Sequence, residues 1–217
     1  MSAAAVELPL FPLNVVLFPG TIVPLHIFEP RYRQMIKDCQ QEEKPFGIVL
    51  ARAESKFMDE EPHAVGTIAE IHSLQELEDG GYNLMAVGVK RFRIISKHNE
   101  KAYISGLVEL FDDELEPEVE LVADARRARQ LFETYLNMLL EAANQQEIHT
   151  NLPETPEELS HFIAYFLEVE DSKKQQFLEL ISTKQRLQEE VTILRREIPF
   201  MRQLLFKTMD NDQTRLN

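Results

Sequence analysis

The sequence predicts an α+β fold whose two kinds of structure are segregated along the chain, a turn-rich β part first and an all-helical part second. Three distributions predict it. All seven glycines of the 217-residue chain lie between residues 20 and 106. Seven of the 11 prolines precede residue 63. Charge divides in the same way: residues 1–110 carry 15 acidic and 11 basic side chains, net −4, and residues 111–217 carry 22 and 12, net −10. Glycine and proline punctuate turns and strands, and helix interiors exclude them. The expected division is a β subdomain over residues 1–116 and an α-helical bundle over residues 117–217.

The stretch Leu8–Phe28 is rich in Val, Ile, Leu and Phe but is cut by Pro9, Pro12, Pro19 and Pro24, a density no helix tolerates. Short strands bent by turns fit it, with Phe18-Pro19-Gly20-Thr21 as one turn and the remaining prolines at edges or bulges. Pro30 at a first helical position, followed by Tyr32, Met35, Ile36 and Cys39 at helical spacing, predicts a helix over residues 30–42. Four more strands are expected, over residues 46–51, 65–74, 82–95 and 102–110. Asp79-Gly80-Gly81 turns the chain between the second and third of these, and Gly88 is a candidate bulge. Six or seven short strands with one inserted helix read as a small, partly closed barrel or as two packed sheets.

Residues 111–120 hold six acids and no base and read as a solvated linker running into a helix whose N-terminus favours Glu118 and Glu120. Val119, Val122, Ala123, Leu131, Phe132, Tyr135, Leu136 and Leu139 form one broad apolar stripe, and the polar residues 141–151 end that helix. Thr155 followed by Pro156, Glu157 and Glu158 reads as an N-cap, a first-position proline and first-turn acids. A short helix over 172–181 comes next, then a long one over 182–206. Leu187, Val191, Leu194, Ile198, Met201 and Leu205 step through the long helix as a heptad seam, read as packing on the preceding helices. Pro199 is expected to kink or end it near Ile198, and the polar tail from Asp210 to fray.

Composition excludes several classes. A chain this long buries a sizeable core without staples, and its single cysteine, Cys39, allows no internal disulfide. No window approaches 18 consecutive apolar residues, and the first residues lack a basic n-region, so no membrane partner and a cytoplasmic location are expected. No glycine is followed by lysine, which removes the phosphate-cradling P-loop, and a dinucleotide fingerprint is absent as well. No two of the six histidines show zinc-ligand spacing. No cofactor, no metal and no catalytic residue are therefore expected. Cys39 falls on the apolar side of its helix and reads as a buried thiol. His26 alternates against Leu25 and Ile27, and Glu29, Arg31 and Arg33 read as local ion pairs. The one basic cluster is Lys90-Arg91-Phe92-Arg93. Its interleaved aromatic is what a single-stranded nucleic-acid surface needs, but a net charge of −14 repels polyphosphate.

The stretch LPLFPLNVVLFPGTIVPLHIFEPRYRQMI, Leu8–Ile36, closely resembles the opening of the N-terminal, substrate-binding domain of the ATP-dependent Lon protease family. VGTIAEI at Val65–Ile71, YNLMAVGVKRFRI at Tyr82–Ile94 and KQQFLELISTKQRLQEEV at Lys174–Val191 extend the resemblance over about residues 7–205. It implies a PUA-like pseudo-β-barrel with one inserted short helix, followed by a C-terminal helical bundle ending in a long helix. It further implies a stand-alone, non-enzymatic module, since 217 residues leave no room for the ATPase and serine–lysine peptidase modules. The function implied is recognition of unfolded or tagged protein segments, as an adaptor or substrate selector. Proline-interrupted strands leave edges to which an extended peptide can add, and Phe11, Phe18, Phe28 and Tyr32 are the large apolar groups near them. The alternatives are RNA binding through Lys90, Arg91 and Arg93, or an enzyme with a cryptic cleft. The chain is expected to be a monomer or a weak homodimer through the C-terminal helix.

Overall fold

The computed structural model describes residues 5–52, 61–143 and 151–215, with side chains of the last helix as far as Leu204. The chain folds into two compact units. One comprises residues 1–113 together with 164–181, and the other residues 114–163 together with 182–217. The chain first passes from one unit to the other between Asp113 and Glu114. The 164–181 segment carries a helical pattern that says nothing of which unit it packs on, and it joins the strands.

In the first unit, six strands and two helices follow the order β1 (Ala5–Leu13), β2 (Ile22–Ile27), α1 (Pro30–Glu42), β3 (Phe46–Ala51), β4 (Pro62–Glu76), β5 (Tyr82–His98), β6 (Ser105–Leu110) and α4 (Asp171–Glu179). The sheet order is β2-β5-β4-β3-β1-β6, and β5 also pairs with β6. β1, β3, β4, β5 and β6 thus close into a ring, with β2 added outside it. The length of β5 makes this possible: Tyr82–Val87 pairs with β2, and Phe92–His98 pairs with β6. The register against β4 slips at Val89, one residue past the expected bulge at Gly88, and again at His72. Gly88 is needed for a different reason. It exchanges backbone hydrogen bonds with Gly20 and Thr21 of the Phe18–Thr21 turn, and a Cβ there would collide with the Phe18 carbonyl oxygen.

The prolines sit where only one side of a strand is paired. β1 pairs with β6 through Ala5–Pro9 and with β3 through Leu10–Leu13, so Pro9 and Pro12 each have a free side for their missing N–H. Pro24 lies on β2, the outermost strand. α1 has the expected bounds and buries Tyr32, Met35, Ile36 and Cys39 against Phe11, Leu17, Ile48 and Leu84 in the larger core cluster. Leu8, Leu10, Val49, Ile68, Phe92 and Val108 form a second cluster. The α4 segment is fastened by Gln175 Nε2, which donates to Val65 O at 3.0 Å, and by Arg91, described below.

In the second unit, α2 (Glu118–Ala142), the first part of α3 (Pro156–Phe166) and α5 (Thr183–Arg215) pack together. Thr155 caps α3 reciprocally: its Oγ1 accepts from Glu158 N and donates to Glu158 Oε2, a capping box. Lys184 meets Glu120 at 2.6 Å and Gln188 meets Asp124 at 2.9 Å, so α2 and α5 run parallel. Leu187, Val191, Leu194 and Ile198 are buried with Phe132, Tyr135, Leu159 and Ile163, which makes the heptad seam an internal one. The Leu205 side chain lies outside the described set. α5 does not end at Pro199 but continues to Arg215. Pro199 and Arg195, whose carbonyl the missing N–H would have served, are both on the exposed side, where water can replace that bond. The tail expected to fray is helical as far as Arg215.

Candidate functional site

β2 is amphipathic with period two: Val23 and Ile27 are buried, while Ile22, Pro24 and His26 are exposed. β5 alternates in phase with it. Leu84 and Ala86 point to the core, and Asn83 and Met85 face outward. The antiparallel register stacks these residues into rows across three strands. Ile22 lies opposite Val87, which lies opposite Glu70. Pro24 lies opposite Met85, opposite Ser73. His26 lies opposite Asn83, opposite Gln75. Phe28 continues the β2 side of this face, 59% exposed, with its ring stacked 5.9 Å from that of His26. The last two rows, with Leu25, Leu74 and Leu84, line an open cleft of about 530 Å³, within the size range of ligand sites. His26 Nδ1 lies 2.8 Å from Asn83 Oδ1, so the two side chains at the polar end of the cleft hold each other in place. Ile22, Pro24, Phe28 and Met85 form an apolar strip on it, the kind of exposed apolar surface that marks an interaction site.

The free edge of β2 is less open than the face. Tyr165 Oη donates to Ile22 O at 2.9 Å, so residue 22 turns its backbone outward. In an antiparallel pair alternate residues do the same, which places Pro24 and His26 there as well. Proline has no N–H to offer, and the Ile22 carbonyl is occupied. Edges are blunted in this way against adventitious strand addition.

Of the four aromatic candidates, Phe28 alone is on the surface. Phe11, Phe18 and Tyr32 are buried core residues, with the Phe11 and Tyr32 rings 4.2 Å apart, because the β1 turn and α1 fold inward over them. Phe28's exposed partners Ile22, Pro24 and Met85 are not aromatic, and only the alternation of β2 and β5 carries them. In the basic cluster, Lys90 pairs with Asp112 at 2.9 Å, and Arg93 lies over the Phe111 ring. Arg91 is buried: it pairs with Asp113, donates to Leu178 O at 3.0 Å and Leu180 O at 2.5 Å, and also covers Phe111. Its guanidinium is consumed inside the protein and is no surface for nucleic acid. Asp113 and Glu116, read as solvated linker, are instead specific anchors. Glu116 accepts from Ser182 Oγ and from the backbone N–H of Lys184.

Elsewhere the ionisable groups form closed structural sets. Tyr103 Oη donates to Asp38 and receives Lys101 Nζ at 3.0 Å, with burial raising the Tyr103 pKa. Cys39 is buried and its thiol is pushed up to about 12, first by burial and then by Asp38 and Glu42. His26 and His72 are exposed, while His63 approaches Glu179 at 3.9 Å. Among the described residues no three His, Cys, Asp or Glu side chains are placed to hold a metal, and no helix is long and apolar enough to cross a membrane.

Comparison with known proteins gives one family. The model described as the ATP-dependent protease La (LON) substrate-binding domain matches residues 7–196. The Lon protease of Anaeromyxobacter dehalogenans is 29% identical over 201 residues, covering 88% of this chain and 23% of its own length. That of Halothermothrix orenii is also 29% identical, covering 91% and 26%. The chain therefore spans about a quarter of the length of the curated relatives it matches. The crystal structure of a Lon N-terminal domain protein from Xanthomonas campestris superposes with a TM-score of 0.62 at 26% identity, covering 86% of this chain and 98% of that one. The N-terminal domain of a Mycobacterium avium complex Lon protease gives 0.64 at 20% identity, a likeness of fold.

Proposed function

Because the chain belongs to the Lon substrate-binding domain family, we propose that it is a non-enzymatic protein-recognition module that engages unfolded or tagged polypeptide on the outer face of β2, β5 and β4. The observation that carries this reading is the apolar strip Ile22, Pro24, Met85 and Phe28 beside an open cleft. Folded client proteins bury such side chains, whereas unfolded ones expose them, so an exposed apolar strip discriminates by folding state rather than by sequence. Recognition runs through the face. Strand addition at the β2 edge is disfavoured by Pro24 and by the Tyr165 bond to Ile22. A substrate-selecting or adaptor role, delivering segments to a degradation machine, is part of this proposal; the family description and the exposed strip support it.

The test is binding of a permanently unfolded, carboxymethylated polypeptide to the purified chain by fluorescence anisotropy. Phe28→Glu and Met85→Glu are expected to weaken binding at least about tenfold, since each removes about 1.5–3 kcal/mol of apolar burial on engagement. The denaturation midpoint should stay unchanged, as both residues are exposed. Binding that is indifferent to both substitutions would place recognition elsewhere.

A further inference from the structure

The strip is flanked by unpaired acid at both ends. Of the nine positions in the three rows, Glu70 alone is charged, and it sits in the terminal row beside Val87 and Ile22. At the opposite end, past Phe28, the turn between β4 and β5 carries Glu78. Both carboxylates are exposed, and no described basic side chain pairs with them. The basic side chains that follow Phe28 in sequence are committed: Arg31 Nε holds Glu29 at 2.9 Å, and Arg33 holds the Asp79 carbonyl at 2.7 Å and its carboxylate at 3.7 Å. From Ile22 to Phe28 the strip spans about 20 Å at the usual rise per strand residue, the length of an extended segment of about six residues. An apolar segment laid along it therefore ends against negative charge on both sides, in a chain whose net charge is −14.

We infer that this face selects apolar segments of about six residues bracketed by lysine or arginine, and rejects the same segments bracketed by acids; the inference rests on the recognition reading above. Charge complementarity of this kind acts through attraction at the ends and repulsion of the wrong partner, and it weakens with salt because all the groups are exposed. The apolar strip supplies the common affinity, and the two acidic ends supply the choice.

Two labelled peptides with one apolar hexamer, flanked either by two lysines or by two glutamates at each end, are titrated against the full chain. The lysine-flanked peptide is expected to bind about tenfold tighter at 50 mM salt, and the gap to close to less than about threefold at 0.5 M, since exposed pairs contribute modestly and are screened. The double variant Glu70→Lys, Glu78→Lys, with its denaturation midpoint checked, should reverse the preference. Equal affinities at low salt, or an unchanged preference in the double variant, overturn the charge selection while leaving recognition of apolar segments standing. If neither peptide binds at tens of micromolar but the unfolded polypeptide does, the strip is not the contact. If nothing binds, the recognition reading itself falls.

Discussion

Replacing Arg91 with methionine removes the most heavily committed side chain of the first unit. The guanidinium is 2% exposed and satisfies the Asp113 carboxylate and the carbonyls of Leu178 and Leu180 at once. Methionine fills most of the stem volume, so the cost is the stranded partners rather than a cavity. Breaking a buried ion pair by removing one member costs about 3–5 kcal/mol, and each carbonyl left unsatisfied adds about 1–3 kcal/mol unless water enters. Arg91→Met should therefore lower stability by at least about 4 kcal/mol in chemical denaturation, a large share of the about 5–15 kcal/mol that holds a domain together. Pairing it with Asp113→Leu should recover about 1–3 kcal/mol, because the second substitution removes the stranded charge. A loss under about 1 kcal/mol for Arg91→Met would refute the assignment of this arginine to the interior and return it to the surface cluster.

Other consequences are smaller and independent. Glu43 ends α1 with φ of 51°, a conformation glycine adopts without strain, so Glu43→Gly should raise the denaturation midpoint by the equivalent of about 0.5–1 kcal/mol. Cys39, with its thiol pushed up to about 12 by burial, should fail to react with a disulfide reagent at pH 8 and react fully in denaturant. Glu190 is wholly buried in the second unit, where burial outweighs Arg186 and the hydrogen bond from Ser160 and raises its pKa well above 4.5. A raised folded pKa contributes stability that is present below the unfolded value and lost as pH climbs through the folded one. The stability of Glu190→Gln relative to the parent should therefore increase from pH 4.5 to pH 8, and a constant difference would contradict it.

Much of the fold is legible locally, because the signals are local. Proline density excludes helix from residues 8–28, and Pro30 with its apolar spacing delivers α1 to the residue. Thr155 through Glu158 announces α3: the N-cap read at Thr155 is present, and Glu158 returns a second bond to it. What local pattern cannot supply is the partner. The helical pattern of residues 164–181 is equally compatible with either unit, and Gln175, Tyr165 and the carbonyls met by Arg91 decide it. Strand alternation puts Arg91 and Phe92 on opposite faces, yet both are buried, since β5 is the strand that bends from β2 to β6 and is covered on both sides there. The candidate site fails for the same reason in reverse. Aromatics beside prolines are the salient residues of the sequence, and Phe11, Phe18 and Tyr32 are salient because they are core. The surface strip is built from Ile22, Pro24 and Met85, ordinary residues that form the proposed site because the register of β2 on β5 aligns them.

The most direct measurement is the affinity of the whole chain for a permanently unfolded polypeptide, compared with the Phe28→Glu, Met85→Glu double variant. Micromolar or tighter binding by the parent, lost by about 100-fold or more in an equally stable variant, is the predicted result. Equal affinity for the two proteins would contradict the assignment of recognition to the outer face of β2 and β5, and absence of binding by the parent at tens of micromolar would contradict recognition altogether.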